Sequence, residues 1–104
     1  MIIQLNTDKN LAGTEKLSAY VNSFISEELS RFSHQITRVE VHLSDVNGPK
    51  DGLNDKRCLI EVRLEGMKPI AVSNNANTHE QAIDGAIEKI KTSLDSMLGR
   101  MRNH

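Results

Sequence analysis

The 104 residues hold a single cysteine, Cys58, so neither an intramolecular disulfide nor a multi-cysteine zinc site can form. Cys58 falls in a strand-like run, where a buried free thiol is the expectation. Aromatic residues make up only 3% of the chain against 38% hydrophobic, which leaves aliphatic side chains to build the core. No apolar run approaches the ~20 residues of a membrane span. The opening "MIIQLNTDKN" has neither the basic flank nor the long apolar stretch of a secretory leader. A cytoplasmic protein is expected. Net charge is nearly absent too, with thirteen bases against fourteen acids. That balance argues against bulk charge as a driver of nucleic-acid binding, because such domains are usually basic.

What is present reads as one domain over residues 1–104, without repeat, linker or low-complexity segment. The order is strand, helix, three strands, helix. "IIQLN" (2–6) alternates, with Ile3 and Leu5 on one face. Thr14 is a good helix cap, and from Leu17 the apolar spacing turns helical through Tyr20, Val21, Phe24, Ile25, Leu29 and Phe32. Glu28 interrupts that stripe, and Arg31 three residues on is its expected partner. "ITRVEVHLS" (36–44) puts Val39, Val41 and Leu43 inward; "RCLIEVRLE" (57–65) does the same with Cys58, Ile60, Val62 and Leu64. "PIAVSN" (69–74) is a fourth short strand. Alternation leaves one sheet face wet, so both helices must cover the other. Thr78 and Gln81 form a capping box, ahead of a long stripe: Ile83, Ala86, Ile87, Ile90, Leu94, Met97, Leu98, Met101.

Between the second and third strands lies a connection rich in Gly, Pro, Asn and Asp. It fails the calcium-loop pattern, because Pro49 and Lys50 stand where an oxygen ligand and a glycine are needed. It fails the phosphate-loop pattern as well, since no Lys-Ser or Lys-Thr follows either glycine. A twelve-residue hairpin loop over 45–56 remains, a spacer first; Lys50, Lys56 and Arg57 are its candidate contacts. The four histidines (34, 42, 79 and 104) show no metal-ligand spacing, and no nucleophile elbow or paired-carboxylate motif stands out. No metal, cofactor or catalysis is expected.

On a helical wheel at about 100° per residue, the last helix has two unlike flanks. One mixes Lys91 and Arg102 with Asp84, Glu88 and Asp95. The other gathers Lys89 and Arg100 with Gln81, Gly85, Thr92, Ser93, Ser96 and Asn103, and holds no acid. Two bases among small hydroxyls suit a helix edge lying along a phosphate backbone. A solvated flank that lacks acids is the plain alternative, and cations near a helix C-terminus also offset its dipole.

The strand order, "ITRVEVHLS", "KRCLIEVRLEG" and "THEQAIDGAIEKI" together resemble the ribosome hibernation-promoting factors and ribosome-associated inhibitors, also called sigma-54 modulation proteins. The resemblance covers nearly the whole chain. It implies an α+β fold, β-α-β-β-β-α, with two helices packed on one face of a four-stranded sheet, like a double-stranded-RNA-binding domain. It implies a monomeric, non-enzymatic partner of the small ribosomal subunit, with no membrane or small-molecule ligand, that idles or protects ribosomes under stress by contacting rRNA phosphates. It matches Arg31, Lys89 and Arg100 to basic positions of the family, with Lys91 one place from a usual base; together with Arg102 from the wheel these are the RNA-binding candidates. The chain departs from the family at Ser96, Met97 and Leu98, where a Lys/His/Lys cluster is usual, and in its serine-rich first helix. A short form without the second, ribosome-pairing domain is expected. The rival reading is a protein-interaction module using the open sheet face, with Arg38, Glu40, His42, Leu59, Glu61 and Arg63.

Overall fold

The computed structural model describes residues 1–8, 14–46 and 53–102, and the side chains of all of these except Thr14, Met101 and Arg102. Four strands form one sheet in the order β1-β2-β3-β4: β1 (Ile2–Thr7), β2 (Ile36–Asp45), β3 (Lys56–Leu64) and β4 (Ile70–Ala76). β1 runs parallel to β2, and the other pairs are antiparallel. A parallel pair needs a crossover, which α1 (Thr14–Glu28) supplies. The second helix, α2 (His79–Arg102), packs on β3 and β4.

The expected alternation holds. Val39, Val41, Leu43, Cys58, Ile60, Val62 and Leu64 all face the core with the α1 residues Val21 and Ile25 and the α2 residues Ile83, Ile87, Ile90 and Leu94. Both helices therefore cover one face of the sheet, as the alternation required. Ala82, absent from the expected stripe, is also buried. Burial pushes the Cys58 thiol up to about 12, so it stays protonated and inert.

Three local features depart from the sequence expectation. Ile36 pairs with Leu64 but Arg38 pairs with Arg63, so Thr37 is an extra residue on β2. The Thr37 hydroxyl donates to the Arg63 carbonyl at 3.2 Å. This bulge reverses the strand's parity, so Ile36 is buried where strict alternation from Val39 would turn it outward. The β2–β3 connection is also shorter than expected. Pairing continues to Asp45 opposite Lys56, so residues 46–55 connect the strands, and Val46 N–H closes the base by donating to the Asp55 carbonyl at 2.8 Å. Finally, α1 stops at Glu28 and the chain tightens into a 3-10 turn over Ser30–Phe32. A tighter turn brings residues three apart into line, which lets both Leu29 and Phe32 enter the core.

Thr78 caps α2 as the sequence indicates: its Oγ1 accepts from the Gln81 N–H at 3.1 Å and its carbonyl from the Ala82 N–H at 3.0 Å. The helix is set against β4 through Asn74, whose side-chain amide donates to the Ala82 carbonyl at 3.3 Å. Gly85 makes that approach possible. A Cβ at position 85 would lie 2.6 Å from Asn74 Cγ.

Candidate nucleic-acid interface

With its apolar stripe buried, α2 keeps two free sides. One faces α1 across a seam of polar contacts. Tyr20 Oη donates to Asp84 Oδ1 at 3.2 Å. Lys91 Nζ donates to Glu28 Oε1 at 3.1 Å and to Glu88 Oε1 at 3.4 Å. Arg31 closes the seam with a two-pronged pair, Nη1 to Asp95 Oδ1 at 2.7 Å and Nη2 to Asp95 Oδ2 at 2.8 Å. The partners ascend together in both helices, so α1 and α2 run in the same direction. These contacts join two cations and four carboxylates, and the seam is net negative. The hydrogen bonds to Asp95 and Glu28 raise the pKa values of Arg31 and Lys91 respectively, holding both charged.

Arg31 thus does not meet Glu28 as the i+3 spacing suggested. The 3-10 turn carries it out of helical register, and its guanidinium lies 4.3 Å from the Phe32 ring centroid on the way to Asp95. Glu28 instead reaches across to Lys91.

The other free side of α2 faces the edge strand β4. Here Lys89 Nζ donates to the Ser73 carbonyl at 2.8 Å, and Arg100 Nη1 donates to Ser96 Oγ at 2.9 Å. Neither is in an ion pair among the described residues. Thr92 donates to the Glu88 carbonyl at 3.1 Å. Two open hollows follow this side. One of about 470 Å³ is lined by Val72, Glu88, Lys89, Thr92 and Ser93, and one of about 430 Å³ by Ile70, Thr92, Ser93, Ser96, Met97 and Arg100. Glu88 borders the first, but its carboxylate is turned to Lys91.

The structure therefore divides the five candidate cations. Lys89 and Arg100 share one side, where their partners are neutral oxygens. Arg31 and Lys91 are held by acids on the other. Arg102 ends α2, and its side chain lies outside the described residues, as does all of Lys50. Lys56, expected at the end of the loop, opens β3, and Arg57 lies in that strand as expected. Lys56 Nζ is half-buried between Asp45 Oδ2 at 2.7 Å and Asp55 Oδ1 at 3.2 Å, a bracket at the base of the loop. Arg57 is exposed on the open sheet face, opposite Ser44 and Asn75.

On that open face Arg38 stands directly opposite Arg63, and Glu40 opposite Glu61. Each base instead pairs along its own strand, Arg38 Nε with Glu40 Oε1 and Arg63 Nε with Glu61 Oε1, both at 3.2 Å. R-x-E on β2 and E-x-R on β3 stack like on like in this antiparallel register.

A four-stranded mixed sheet covered on one face by two parallel helices, one of them bearing cations on both free sides, defines a small α+β domain. The family described as "Sigma 54 modulation protein / S30EA ribosomal protein" matches residues 6–102, and the chain belongs to this family of non-enzymatic, ribosome-associated modulation proteins. In fold the chain is similar to the N-terminal domain of Protein Y from Thermus thermophilus, with a TM-score of 0.72 over 93% of this chain and 99% of that one, at 24% identity. It is similar too to a ribosomal subunit interface protein from Coxiella burnetii, with a TM-score of 0.65 over 95% of this chain and 99% of that one, at 16% identity. At such identities the likeness carries the fold alone. No curated protein matches in sequence. Among the described residues no helix is long and apolar enough to cross a membrane.

Proposed function

We propose that this protein binds the small ribosomal subunit by laying the β4-facing side of α2 along rRNA phosphates, and so idles or protects ribosomes under stress. The observation that carries this reading is the state of Lys89 and Arg100. Among the described residues both hold neutral acceptors, and they sit among Thr92, Ser93 and Ser96 on one helix side. Exchanging a neutral carbonyl or hydroxyl for an anionic phosphate oxygen gives each cation an oppositely charged acceptor, a stronger and shorter hydrogen bond. The hydroxyls add donors to phosphate without reading sequence. Binding over the messenger and transfer RNA sites is then occlusion, with no bond made or broken.

The test is sedimentation of the tagged protein in stationary-phase lysate at low and moderately high salt. Co-migration with small subunits or whole ribosomes that is lost as salt rises, and lost at low salt in Lys89→Glu/Arg100→Glu, supports the reading. A protein that stays at the top of the gradient at low salt sinks it.

A second reading has its own observation. The stacked pairs Arg38/Arg63 and Glu40/Glu61 place like charges opposite one another, which costs the sheet stability. A protein partner presenting an acidic row beside a basic row would relieve both. Charge reversal at Arg38 and Arg63 separates the readings, because ribosome binding through α2 would survive it.

A further inference from the structure

We propose that Asp95 closes Arg31, a phosphate position that the family resemblance already implies, in the free protein, and that Asp95 thereby sets the affinity and the salt tolerance of RNA binding. The inference rests on the RNA-binding reading above. It concerns a carboxylate that this reading leaves without a role.

Three observations carry it. First, the Arg31 guanidinium is already arranged for a two-oxygen anion. It presents Nη1 and Nη2 together, at 2.7 and 2.8 Å from the two Asp95 oxygens, with the Phe32 ring 4.3 Å beneath. The same planar fork fits phosphate as it fits carboxylate. Second, the pair is accessible: the two side chains are 56% and 51% exposed. Water reaches both partners, and exchanging the carboxylate for a phosphate keeps both charge-assisted bonds. Third, the position is contiguous with the proposed contact. Asp95 precedes Ser96, whose hydroxyl accepts from Arg100. Consecutive helix residues lie about 100° apart around the axis, so a strand following Arg100 and Ser96 meets Asp95 next.

Lys91 is a different case. It is shared between Glu28 and Glu88, so removing either acid leaves the other in place. Among the described residues Arg31 has one carboxylate partner, and one substitution releases it. While Asp95 is charged it both occupies Arg31 and repels an approaching phosphate. The site reads as neutral although a fully formed anion fork stands in it.

The experiment is a four-protein cycle: wild type, Asp95→Asn, Arg31→Gln and the double variant. Each is titrated against purified small ribosomal subunits over a range of monovalent salt, and each is eluted from a heparin column. Asp95→Asn keeps the shape of the side chain and removes its charge. One added phosphate contact steepens the log–log salt slope by about 0.9, which at 0.1 M salt corresponds to roughly five- to tenfold tighter binding. Asp95→Asn is expected to show both changes, and Arg31→Gln is expected to abolish both. An equal gain with and without Arg31 overturns the proposal, since it would reflect net charge alone. No gain at all overturns it as well. If wild type and Asp95→Asn both fail to bind subunits, the ribosomal reading is what fails. Heparin then decides the Arg31 position by itself: later elution of Asp95→Asn that depends on Arg31 supports it, and an unchanged or Arg31-independent elution refutes it.

Discussion

The two free sides of α2 carry similar cations and differ in what those cations touch. Toward α1, Lys91 and Arg31 are held by carboxylates from both helices. Toward β4, Lys89 and Arg100 rest on a backbone carbonyl and a serine hydroxyl. A cation paired with an acid is neutral at a distance, whereas one hydrogen-bonded to a neutral oxygen keeps its full charge for a ligand. With the chain near neutrality overall, the capacity to attract a polyanion depends on this partition. The seam is a weak clasp between helices that make few other contacts. The β4 side is the place where charge stays available.

The largest expected effect tests that partition directly. Lys89→Glu with Arg100→Glu should weaken small-subunit binding on the order of 100-fold near 0.1 M salt and flatten the log–log salt slope by about 1.8, the loss of two phosphate contacts. Lys91→Ala, on the seam, should leave affinity within about twofold in the same titration, because a cation already shared between Glu28 and Glu88 adds little attraction for a phosphate. If the two variants lose binding equally, the sides are not different in kind.

A second prediction concerns how the β4 side is placed. Gly85→Ala should destabilise the fold by about 1–3 kcal/mol in chemical denaturation, as overpacking against Asn74 does. In an Asn74→Ala background the same change should become neutral or gain up to about 1 kcal/mol from helix propensity. A Gly85→Ala penalty that persists without Asn74 would show that another contact holds α2 against β4.

On the seam the effects should be small. Lys91→Ala is expected to cost at most about 1 kcal/mol, and less in high salt. A larger loss would make the clasp structural rather than marginal.

The smallest effect is spectroscopic. Tyr20 is the single tyrosine, and its phenol is raised above the usual 10.0 by partial burial first and by the Asp84 carboxylate second. The folded form therefore keeps its proton to higher pH than the unfolded chain. The stabilisation is complete below pH 10 and falls as pH rises through the folded value. Ultraviolet titration should place the phenolate transition above 10, and Asp84→Asn should move it part of the way back. A transition at 10 in the wild type would mean that the first contact of the seam is not formed in solution.

Much of the framework is legible in the sequence. Period-two runs identified β2 and β3 and the faces they bury, and the period near 3.6 identified α2 together with the Thr78 cap. Those signals survive because burial of aliphatic side chains decides them residue by residue. The bulge at Thr37 was not legible, since one inserted residue leaves the composition of the strand unchanged while reversing which side Ile36 occupies. The end of α1 was misread for a related reason. The apolar stripe runs on through Leu29 and Phe32 whether the turn is α or 3-10, and only the turn type decides where Arg31 points.

The candidate cations show the same division. The sequence wheel separated Lys89 and Arg100 from Lys91, because angular position on a helix follows from spacing alone. It could not pair Arg31 with Asp95, or Glu28 with Lys91, because each pair spans more than sixty residues of chain. By itself the sequence determined which elements form, which faces they bury and which α2 cations share a side, all of them consequences of local period and burial. The tertiary structure decided which charges are cancelled. Ion pairs between helices depend on how two elements distant in sequence are brought together, and no periodicity within either helix encodes that distance.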